Sequence, residues 1–248
     1  YNSSGKKEKE VKIEINNPIY DVEGKYLVIG ENGSQKLCLI SDDHIIWEKN
    51  VDGNLNKVTV NKNGYVSAIV TGTTYKSVII TYDAKGNELF KSYLSNTIAV
   101  DACISPDNAE LAYAEVNNSG TTIQSNIKII SIKEAKEKNT EPKYTYNANQ
   151  NSLILRIKYQ EKSQLICMYD DSIHKFEEGV DVELTKLDED NPKISFADIE
   201  LTNYIFKAYE KSTSLFNADT IIEMQNTSNG KENIYTIEKV AKSVVTYN

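Results

Sequence analysis

The sequence predicts an all-β protein: a β-propeller of four-stranded antiparallel blades, with about five blades visible and a sixth begun. Short runs that alternate apolar and polar residues recur, with turn signals between them about every 8–12 residues. Four such runs form a unit that repeats at roughly 40–45 residues, which is the period of propeller blades. Tyrosine dominates the aromatic residues, with 16 Tyr against 5 Phe and 1 Trp, and it suits half-buried pleated surfaces.

The clearest unit begins at Val100–Val116 (VDACISPDNAELAYAEV), which predicts a strand, a tight turn at Ser105–Asn108 and a second strand. Equivalent first turns fall near residues 24, 64, 108, 162 and 202. The long third interval contains Ser131–Asn139, where Ser131 and Glu134 form a capping box that predicts a short surface helix. A single twisted sheet leaves both of its apolar faces uncovered. Packing successive blades around an axis covers these faces, which explains why the unit repeats.

In the first two blades the strands are separated by turn dipeptides, and Asn-Gly between apolar runs is the strongest short hairpin signal. Blade 1 is predicted over residues 16–53, with strands at Ile19–Val22, Tyr26–Ile29, Leu37–Ile40 and Ile45–Val51. Blade 2 is predicted over residues 54–96, with strands at Val58–Val60, Tyr65–Val70, Val78–Tyr82 and Glu88–Leu94. An earlier run, Val11–Ile15 (VKIEI), alternates in the same way and predicts one more strand.

The remaining blades follow the same order. Blade 3, over residues 97–147, adds strands at Ile127–Ile132 and Lys143–Tyr146 to the opening hairpin. Blade 4, over residues 148–191, has Leu153–Tyr159, Leu165–Tyr169, Ile173–Phe176 and Val180–Leu184. Blade 5, over residues 192–239, runs from Ile194 through Tyr204–Ala208, Thr220–Met224 and Ile234–Ile237, and residues 240–248 would start a further blade. The regular four-strand period favours a propeller over a β-sandwich, which uses equally short strands.

Residues 11–248 are predicted to form one propeller domain after a polar linker at residues 1–10. Tyr1 is not an initiator methionine, and Asn2–Glu10 (NSSGKKEKE) is typical of a spacer behind a removed signal, an anchor or a tag. We therefore expect the natural beginning to lie upstream. Two arrangements stay open: a truncated propeller, with five or more blades of a seven-bladed parent, or a ring closed by Val11–Ile15 pairing with the last blade.

Composition disfavours some classes of partner. The formal net charge is −8, from 28 Lys and Arg against 36 Asp and Glu, and Arg156 is the only arginine. Negative charge and a lack of arginine disfavour nucleic-acid binding, because bidentate recognition of phosphate or guanine relies on arginine. The three cysteines, Cys38, Cys103 and Cys167, are widely spaced within apolar runs and are predicted to be core thiols.

Two stretches carry a family resemblance. Ser105–Asn108 followed by Glu110–Ala114 (SPDNAELAYA) resembles the SPDG-type turn of WD40-like and TolB-like propellers. Ile45–Gly53 (IIWEKNVDG) is similar to the outer strand of quinoprotein-like blades, whose tryptophan docks neighbouring blades. The Trp-Asp dipeptide of true WD40 blades is absent, however, and Trp47 alone matches the quinoprotein tryptophan.

From about Asn16 onward, the chain resembles an uncharacterised family of bacterial single-pass membrane proteins, which is classed as a domain of unknown function. The resemblance implies a propeller-like extracytoplasmic domain that follows an N-terminal anchor. It implies no catalytic, cofactor-binding or metal-binding residue.

The candidate chemistry is sparse. Asp42-Asp43-His44, and Asp170-Asp171 with His174, have the residue types of metal ligands. Both sets fall at predicted turns on blades three repeats apart, so we favour local turn roles over a metal site. No GxSxG motif identifies a nucleophile, whereas paired carboxylates for glycoside hydrolysis stay open because 36 acidic residues offer many accidental pairs. We therefore predict no cofactor, no metal ligand and no catalytic residue.

Function is bounded by two hypotheses. Long Thr/Ser-rich second hairpins in three blades would form a partner-binding surface, with Tyr75, Thr122 and Phe216 as candidate contacts. This predicts a non-catalytic, membrane-anchored extracytoplasmic scaffold for a protein or cell-envelope partner. The alternative is an enzyme or ligand sensor with its site in the central channel, where polar residues of the innermost strands would converge: Asp21, Thr59, Asp101, Arg156 and Asp198.

Overall fold

The part of the chain that the structure describes forms five four-stranded antiparallel sheets, and each sheet keeps its strands in sequence order. The computed structural model describes residues 4–7, 10–149, 152–160, 163–187, 194–214, 217–242 and 246. The all-β class and the four-stranded antiparallel unit are therefore confirmed. The predicted opening of a further blade at Ser243–Tyr247 lies outside the described residues except for Thr246.

The strands follow one pattern from blade to blade, with the first strand innermost and the fourth outermost. Blade 1 contains β1 (Pro18–Glu23), β2 (Tyr26–Glu31), β3 (Lys36–Ser41) and β4 (His44–Asn50). Blade 2 contains β5 (Asn54–Val60), β6 (Val66–Thr71), β7 (Ser77–Tyr82) and β8 (Glu88–Leu94). Blade 3 contains β9 (Ile98–Ile104), β10 (Glu110–Asn117), β11 (Gln124–Ser131), α1 (Ile132–Lys136) and β12 (Tyr144–Asn147).

The last two blades repeat this order. Blade 4 contains β13 (Ile154–Tyr159), β14 (Leu165–Tyr169), β15 (Ser172–Glu177) and β16 (Val180–Lys186). Blade 5 contains β17 (Ile194–Asp198), β18 (Tyr204–Ser212), β19 (Ala218–Asn226) and β20 (Glu232–Ile237).

Local sequence explains two of the connections. In the SPDN turn, Asn108 adopts φ 62°, a left-handed conformation that asparagine tolerates, and the Ser105 hydroxyl accepts hydrogen bonds from the amides of Ala109 and Glu110. The short helix α1 begins where predicted, because the Ser131 hydroxyl accepts a hydrogen bond from the amide of Glu134.

Apolar side chains between successive sheets form the core. Trp47 of blade 1 packs in one cluster with Leu55 and Tyr82 of blade 2. Similar clusters join blades 2 and 3 and blades 3 and 4, and a smaller one around Ile166 and Ile205 joins blades 4 and 5. No core cluster of the described residues joins blade 5 to blade 1.

The far face of blade 1, turned away from blade 2, is partly open. Tyr20 and Val22 of β1 lie there and are 67% and 54% exposed. They share that face with Leu27 and Ile29 of β2, because directly paired residues of a sheet point to the same side.

The predicted strand at Val11–Ile15 is wrong. The segment alternates half-buried with exposed residues, but it pairs with no strand of the described residues. The hydrogen bonds that hold this region run to blade 1: Asn16 donates to the Glu31 carboxylate, and Lys36 Nζ donates to the carbonyl of Glu14. These bonds use side chains instead of a strand edge, so the structure shows no pairing of Val11–Ile15 with the last blade.

The hairpins define the two ends of the propeller. We call the end with the β1–β2, β5–β6, β9–β10, β13–β14 and β17–β18 connections the first-hairpin face, and the opposite end the second-hairpin face. At the first-hairpin face, Asn61 Nδ2 donates to the carbonyl of Ser105 at 2.9 Å, and Gln160 Nε2 donates to the carbonyl of Leu201 at 2.9 Å. These amides connect the first hairpins of blades 2 and 3 and of blades 4 and 5.

No helix among the described residues is long and apolar enough to cross a membrane.

Trp47 docks on the backbone of the next blade at Gly86, which gives a test of the blade interface. Gly86 has φ +80°, and a methyl group there would lie 2.8 Å from Cγ of Trp47. We expect Gly86→Ala to lower the free energy of unfolding by about 2–4 kcal/mol, because it combines left-handed backbone strain with a steric clash in the core. Urea denaturation followed by tryptophan fluorescence measures the loss.

Gly33→Ala is the matched control for this variant. Gly33 has a similar φ of +74°, but a methyl group there would meet nothing within 4 Å. Its cost is expected to be only about 1–2 kcal/mol, from backbone strain alone. Equal losses in the two variants would contradict the docking of Trp47 on Gly86.

Candidate functional site

A polar cavity lies where the innermost strands meet. Strand β1 lies beside β5, β5 beside β9, and β9 beside β13. The cavity has a volume of about 160 Å³ and is lined from the first-hairpin side by residues such as Asn61, Pro106 and Gln160. A second cavity of about 380 Å³ continues toward the second-hairpin face. The residues that line both are Asp21, Lys57, Thr59 and Arg156.

Polar side chains of the innermost strands tie each strand to the next. Asp21 Oδ2 accepts a hydrogen bond from the amide of Val60 at 2.9 Å. Thr59 Oγ1 donates to the carbonyl of Ala102 at 2.8 Å. Asp101 Oδ2 accepts from the amide of Ile157 at 2.9 Å. These three links connect blades 1 to 2, 2 to 3 and 3 to 4.

The structure brings four of the five predicted channel residues together. Asp21, Thr59, Asp101 and Arg156 all line the first cavity. Asp198 does not line the cavity: its Oδ1 accepts a hydrogen bond from the amide of the lining residue Glu200 at 2.8 Å, and its Oδ2 accepts one from Thr246 Oγ1 at 2.6 Å.

Ion pairs fill much of the cavity. Lys57 Nζ lies 2.8 Å from Asp101 Oδ1. Lys158 Nζ reaches Glu23 at 2.6 Å and Glu200 at 2.9 Å, and Arg156 reaches Glu200 at 2.6 Å. Burial alone would lower the pKa of Lys158, but the neighbouring Glu200 and Glu23 carboxylates raise it above its ordinary value. The ammonium of Lys158 is thus held in its charged form.

Sequence reasoning missed four members of this network, namely Glu23, Lys57, Lys158 and Glu200. Period-2 alternation along an innermost strand is a signal for three of them. Lys57 lies two residues from Thr59, Lys158 two from Arg156, and Glu23 two from Asp21, so each shares the face of a predicted channel residue.

Asp21 is the acid of the cavity without an ion pair among the described residues. Burial raises the pKa of its carboxyl, and the amide of Val60 and the charge of Lys158 offset only part of that effect. Its second oxygen, Oδ1, accepts no hydrogen bond from the part of the chain that the structure describes. A desolvated carboxyl with a free oxygen in a cleft is typical of binding sites.

The cysteines lie in the core, as predicted. All three are buried free thiols. Burial and the nearby Glu48 carboxylate raise the pKa of Cys38 to about 11. Burial likewise raises the pKa of Cys103, which lines the axial cavity, and of Cys167. Such shifts keep thiols protonated and unreactive at neutral pH.

The two predicted Asp-His clusters lie far apart. Asp42–His44 occupies the exposed β3–β4 turn at the first-hairpin end, whereas Asp170–Asp171 occupies the β14–β15 hairpin at the other end. Within the described residues there is no group of three or more His, Cys, Asp or Glu that could hold a metal ion.

His174 takes part in a hydrogen-bonded chain that the sequence analysis did not anticipate. Its Nδ1 lies 2.7 Å from Asp181 Oδ1, and its Nε2 lies 3.1 Å from Ser172 Oγ. Ser172 is buried, and its hydroxyl donates to Asp171 Oδ1 at 2.8 Å. The adjoining cavity is only about 30 Å³, which is room for about one water molecule. The arrangement therefore satisfies buried polar groups between blades 3 and 4.

A surface at the second-hairpin end contains one of the predicted partner contacts. Tyr75 and Tyr93 are 37% and 55% exposed, and their ring centroids are 4.7 Å apart. Beside them, Lys76 Nζ donates to the carbonyl of Asn96 at 3.1 Å and to Ser119 Oγ at 3.4 Å. Thr122 is exposed in the same blade 3 hairpin as Ser119, whereas Phe216 lies outside the described residues. We call Thr71–Lys76, Tyr93 and Asn117–Thr122 the tyrosine surface.

Comparison with known proteins places the chain in a family. A family model described as "Family of unknown function (DUF5711)" matches residues 1–231. The chain belongs to this family. No curated protein matches the chain. The expected resemblance to a domain of unknown function is thereby confirmed.

Solved propellers are similar to this member of DUF5711 in fold. The β-propeller domain of Cps50 (Swd1) from Myceliophteria thermophila has a TM-score of 0.53 at 11% identity, over 88% of this chain and 83% of that one. A putative TolB from Agrobacterium tumefaciens has a TM-score of 0.51 at 12% identity, over 89% and 80%. An oligogalacturonate lyase in complex with manganese has a TM-score of 0.58 at 9% identity, over 86% of this chain but only 62% of the lyase. At sequence identities this low, the structural similarity shows the propeller fold alone.

Replacing Asp101 and Asp21 by asparagine is expected to change the free energy of unfolding in different directions. Asp101 is buried, holds Lys57, and accepts hydrogen bonds from the amides of Ala102 and Ile157. Asp101→Asn should lower the free energy of unfolding by about 2–3 kcal/mol, since it removes the charge that holds Lys57 and replaces one of the two acceptor oxygens with a donor facing a buried amide. Asp21→Asn keeps an oxygen for the Val60 amide and should leave stability at pH 7 equal or slightly higher. Urea denaturation at pH 7 compares the two variants.

The same variants test a pH dependence. The folded state holds the Asp21 proton more tightly than the unfolded state, so Asp21 lowers the free energy of unfolding as pH rises from its ordinary pKa of 3.8 through the raised value. Asp21→Asn should therefore flatten the fall of stability above pH 4 relative to the parent chain. A parallel pH profile for parent and variant would contradict the burial of this carboxyl.

Proposed function

We propose that this chain is a non-catalytic propeller scaffold of the bacterial cell envelope. It stands on the outer side of the membrane, held by an anchor outside this chain, and binds a protein or envelope partner through the tyrosine surface. The observation that carries the proposal is the exposed Tyr75–Tyr93 pair beside the joined hairpins of blades 2 and 3.

The tyrosine surface has the properties of a partner-binding patch. Tyrosine presents a large rigid contact area at low conformational cost, and aromatic residues dominate binding energy at protein interfaces. The neighbouring Thr, Ser and Asn side chains supply polar contacts around the rings. Because Lys76 ties the blade 2 hairpin to Asn96 and Ser119, the surface is pre-organised and loses less entropy on binding.

The fold and the charge support the same function. WD40-like propellers generally mediate protein interactions. The net charge of −8 favours partners with a neutral or basic surface over polyanions.

Photo-crosslinking from the surface tests the partner. A photo-reactive phenylalanine analogue replaces Tyr75 in the full-length protein in its native cells, and the control replaces Tyr235, which is 53% exposed on the outer strand of blade 5. A discrete adduct is expected from position 75 and none from position 235. Tyr93→Ala should weaken the adduct at position 75 by about tenfold, which corresponds to about 1.4 kcal/mol of binding energy. It should leave the thermal midpoint unchanged, because the ring is exposed.

Adducts of equal yield at both positions, or none at position 75, would refute the tyrosine surface as the binding site.

Thiol labelling tests the location of the chain. The native cysteines are buried and should label slowly, so Thr122→Cys at an exposed hairpin provides a selective site. A membrane-impermeant maleimide should label this variant in intact cells as fully as in permeabilised cells. Labelling that requires permeabilisation would place the propeller inside the cell.

A further inference from the structure

The axial cavity brings together two groups of opposite charge with unused hydrogen-bonding capacity. Asp21 has one oxygen that accepts no hydrogen bond from a described residue. Arg156 has a guanidinium with five N–H donors, and its ion pair with Glu200 engages one of its nitrogens. Both residues line both chambers of the cavity.

The carboxyl of Asp21 lies within range of the charge of Arg156. Burial raises the pKa of the Asp21 carboxyl most; the charge of Lys158 lowers it, that of Glu200 raises it and that of Arg156 lowers it, so these charges lie within effective range of the carboxyl. Asp21 is half-buried and the Arg156 side chain is 44% exposed, so solvent screening is reduced on the Asp21 side.

The charge balance of the first cavity restricts what can enter. Four acids line it, Asp21, Glu23, Asp101 and Glu200, against four bases, Lys57, Lys62, Arg156 and Lys158. The sum is zero. A ligand with a net charge would add an uncompensated charge to this neutral lining, whereas a zwitterion adds one charge of each sign and keeps the balance.

We propose that the axial cavity binds a zwitterionic small molecule of the amino-acid class, with its ammonium on Asp21 and its carboxylate on Arg156. Chambers of about 160 and 380 Å³ admit a molecule of this size. An ammonium supplies the donor that Asp21 Oδ1 lacks, and a carboxylate matches the planar fork of the only arginine in the chain. This site is separate from the tyrosine surface.

Binding to the purified 248-residue chain tests the proposal. Isothermal titration and thermal-shift assays use glycine, L-alanine, L-serine, L-leucine, L-glutamate and L-lysine as probes. For each amino acid that binds, the N-acetyl derivative removes the ammonium and the amide removes the carboxylate. We expect at least one free amino acid to bind with a Kd below about 1 mM and both derivatives to bind at least about tenfold more weakly.

Variants assign the site. Asp21→Asn should fold normally and bind the amino acid at least about tenfold more weakly, and Arg156→Gln should do the same. Tyr93→Ala is the control that leaves binding unchanged, because Tyr93 lies on the outer surface of blade 2. If Arg156→Gln proves unstable, Asp21→Asn together with the N-acetyl derivative decides the result.

Several results would overturn the proposal: no binding by any amino acid at about 10 mM, equal binding of the derivatives, or unchanged affinity in Asp21→Asn. Binding of acetate or methylamine alone, at the strength of the amino acid, would assign the cavity to a singly charged ligand. None of these results alters the crosslinking test of the tyrosine surface, so the two proposals fail independently.

Discussion

Side-chain links between successive innermost strands are the interaction on which the rest of this propeller depends. Asp21, Thr59 and Asp101 each reach the backbone of the next blade. The sheet ladders do not supply these bonds, because each ladder pairs the strands of a single blade. The links therefore fix how blades approach at the axis, where buried backbone groups would otherwise lack partners.

These links also explain why polar residues occupy the centre of an apolar fold. The apolar clusters lie between the sheets and include one face of the innermost strands, such as Val58 and Val60 of β5 and Ile157 of β13. At the axis the strands converge, and polar side chains there hydrogen-bond across to the next blade. The same convergence places charged residues of several blades in one enclosure, which produces both the ion-pair network and the cavity.

Much of the architecture could be predicted from the sequence, because it depends on local signals. The SPDN turn, the Ser131 helix cap and the recurrent hairpins act over a few residues; the turn and the cap are formed, and so are the hairpins that lie within the described residues. The strand predicted at Val11–Ile15 did not form. Alternation of apolar and polar residues indicates which side of a segment is buried, but it does not indicate whether a strand edge is available for pairing. Glu200 was missed because Lys158 and Arg156 reach it from another blade, and such contacts depend on how the blades pack. Tyr93 was missed because it lies on β8 and its partner Tyr75 lies in the β6–β7 hairpin. The whole of β7 separates the two residues in the sequence.

The apolar clusters of the described residues join the blades as an array in the order 1 to 5, and one polar bridge, from Lys158 to Glu23, connects blade 4 to blade 1. The stability of such an array is approximately a sum of unit and interface contributions, and its interior units are held from both sides. Blades 2 and 3 are flanked by large apolar interfaces, whereas blade 5 shares only the small one among the described residues. The array therefore has a graded rigidity: its firm centre lies under the tyrosine surface, and its compliance increases toward blade 5.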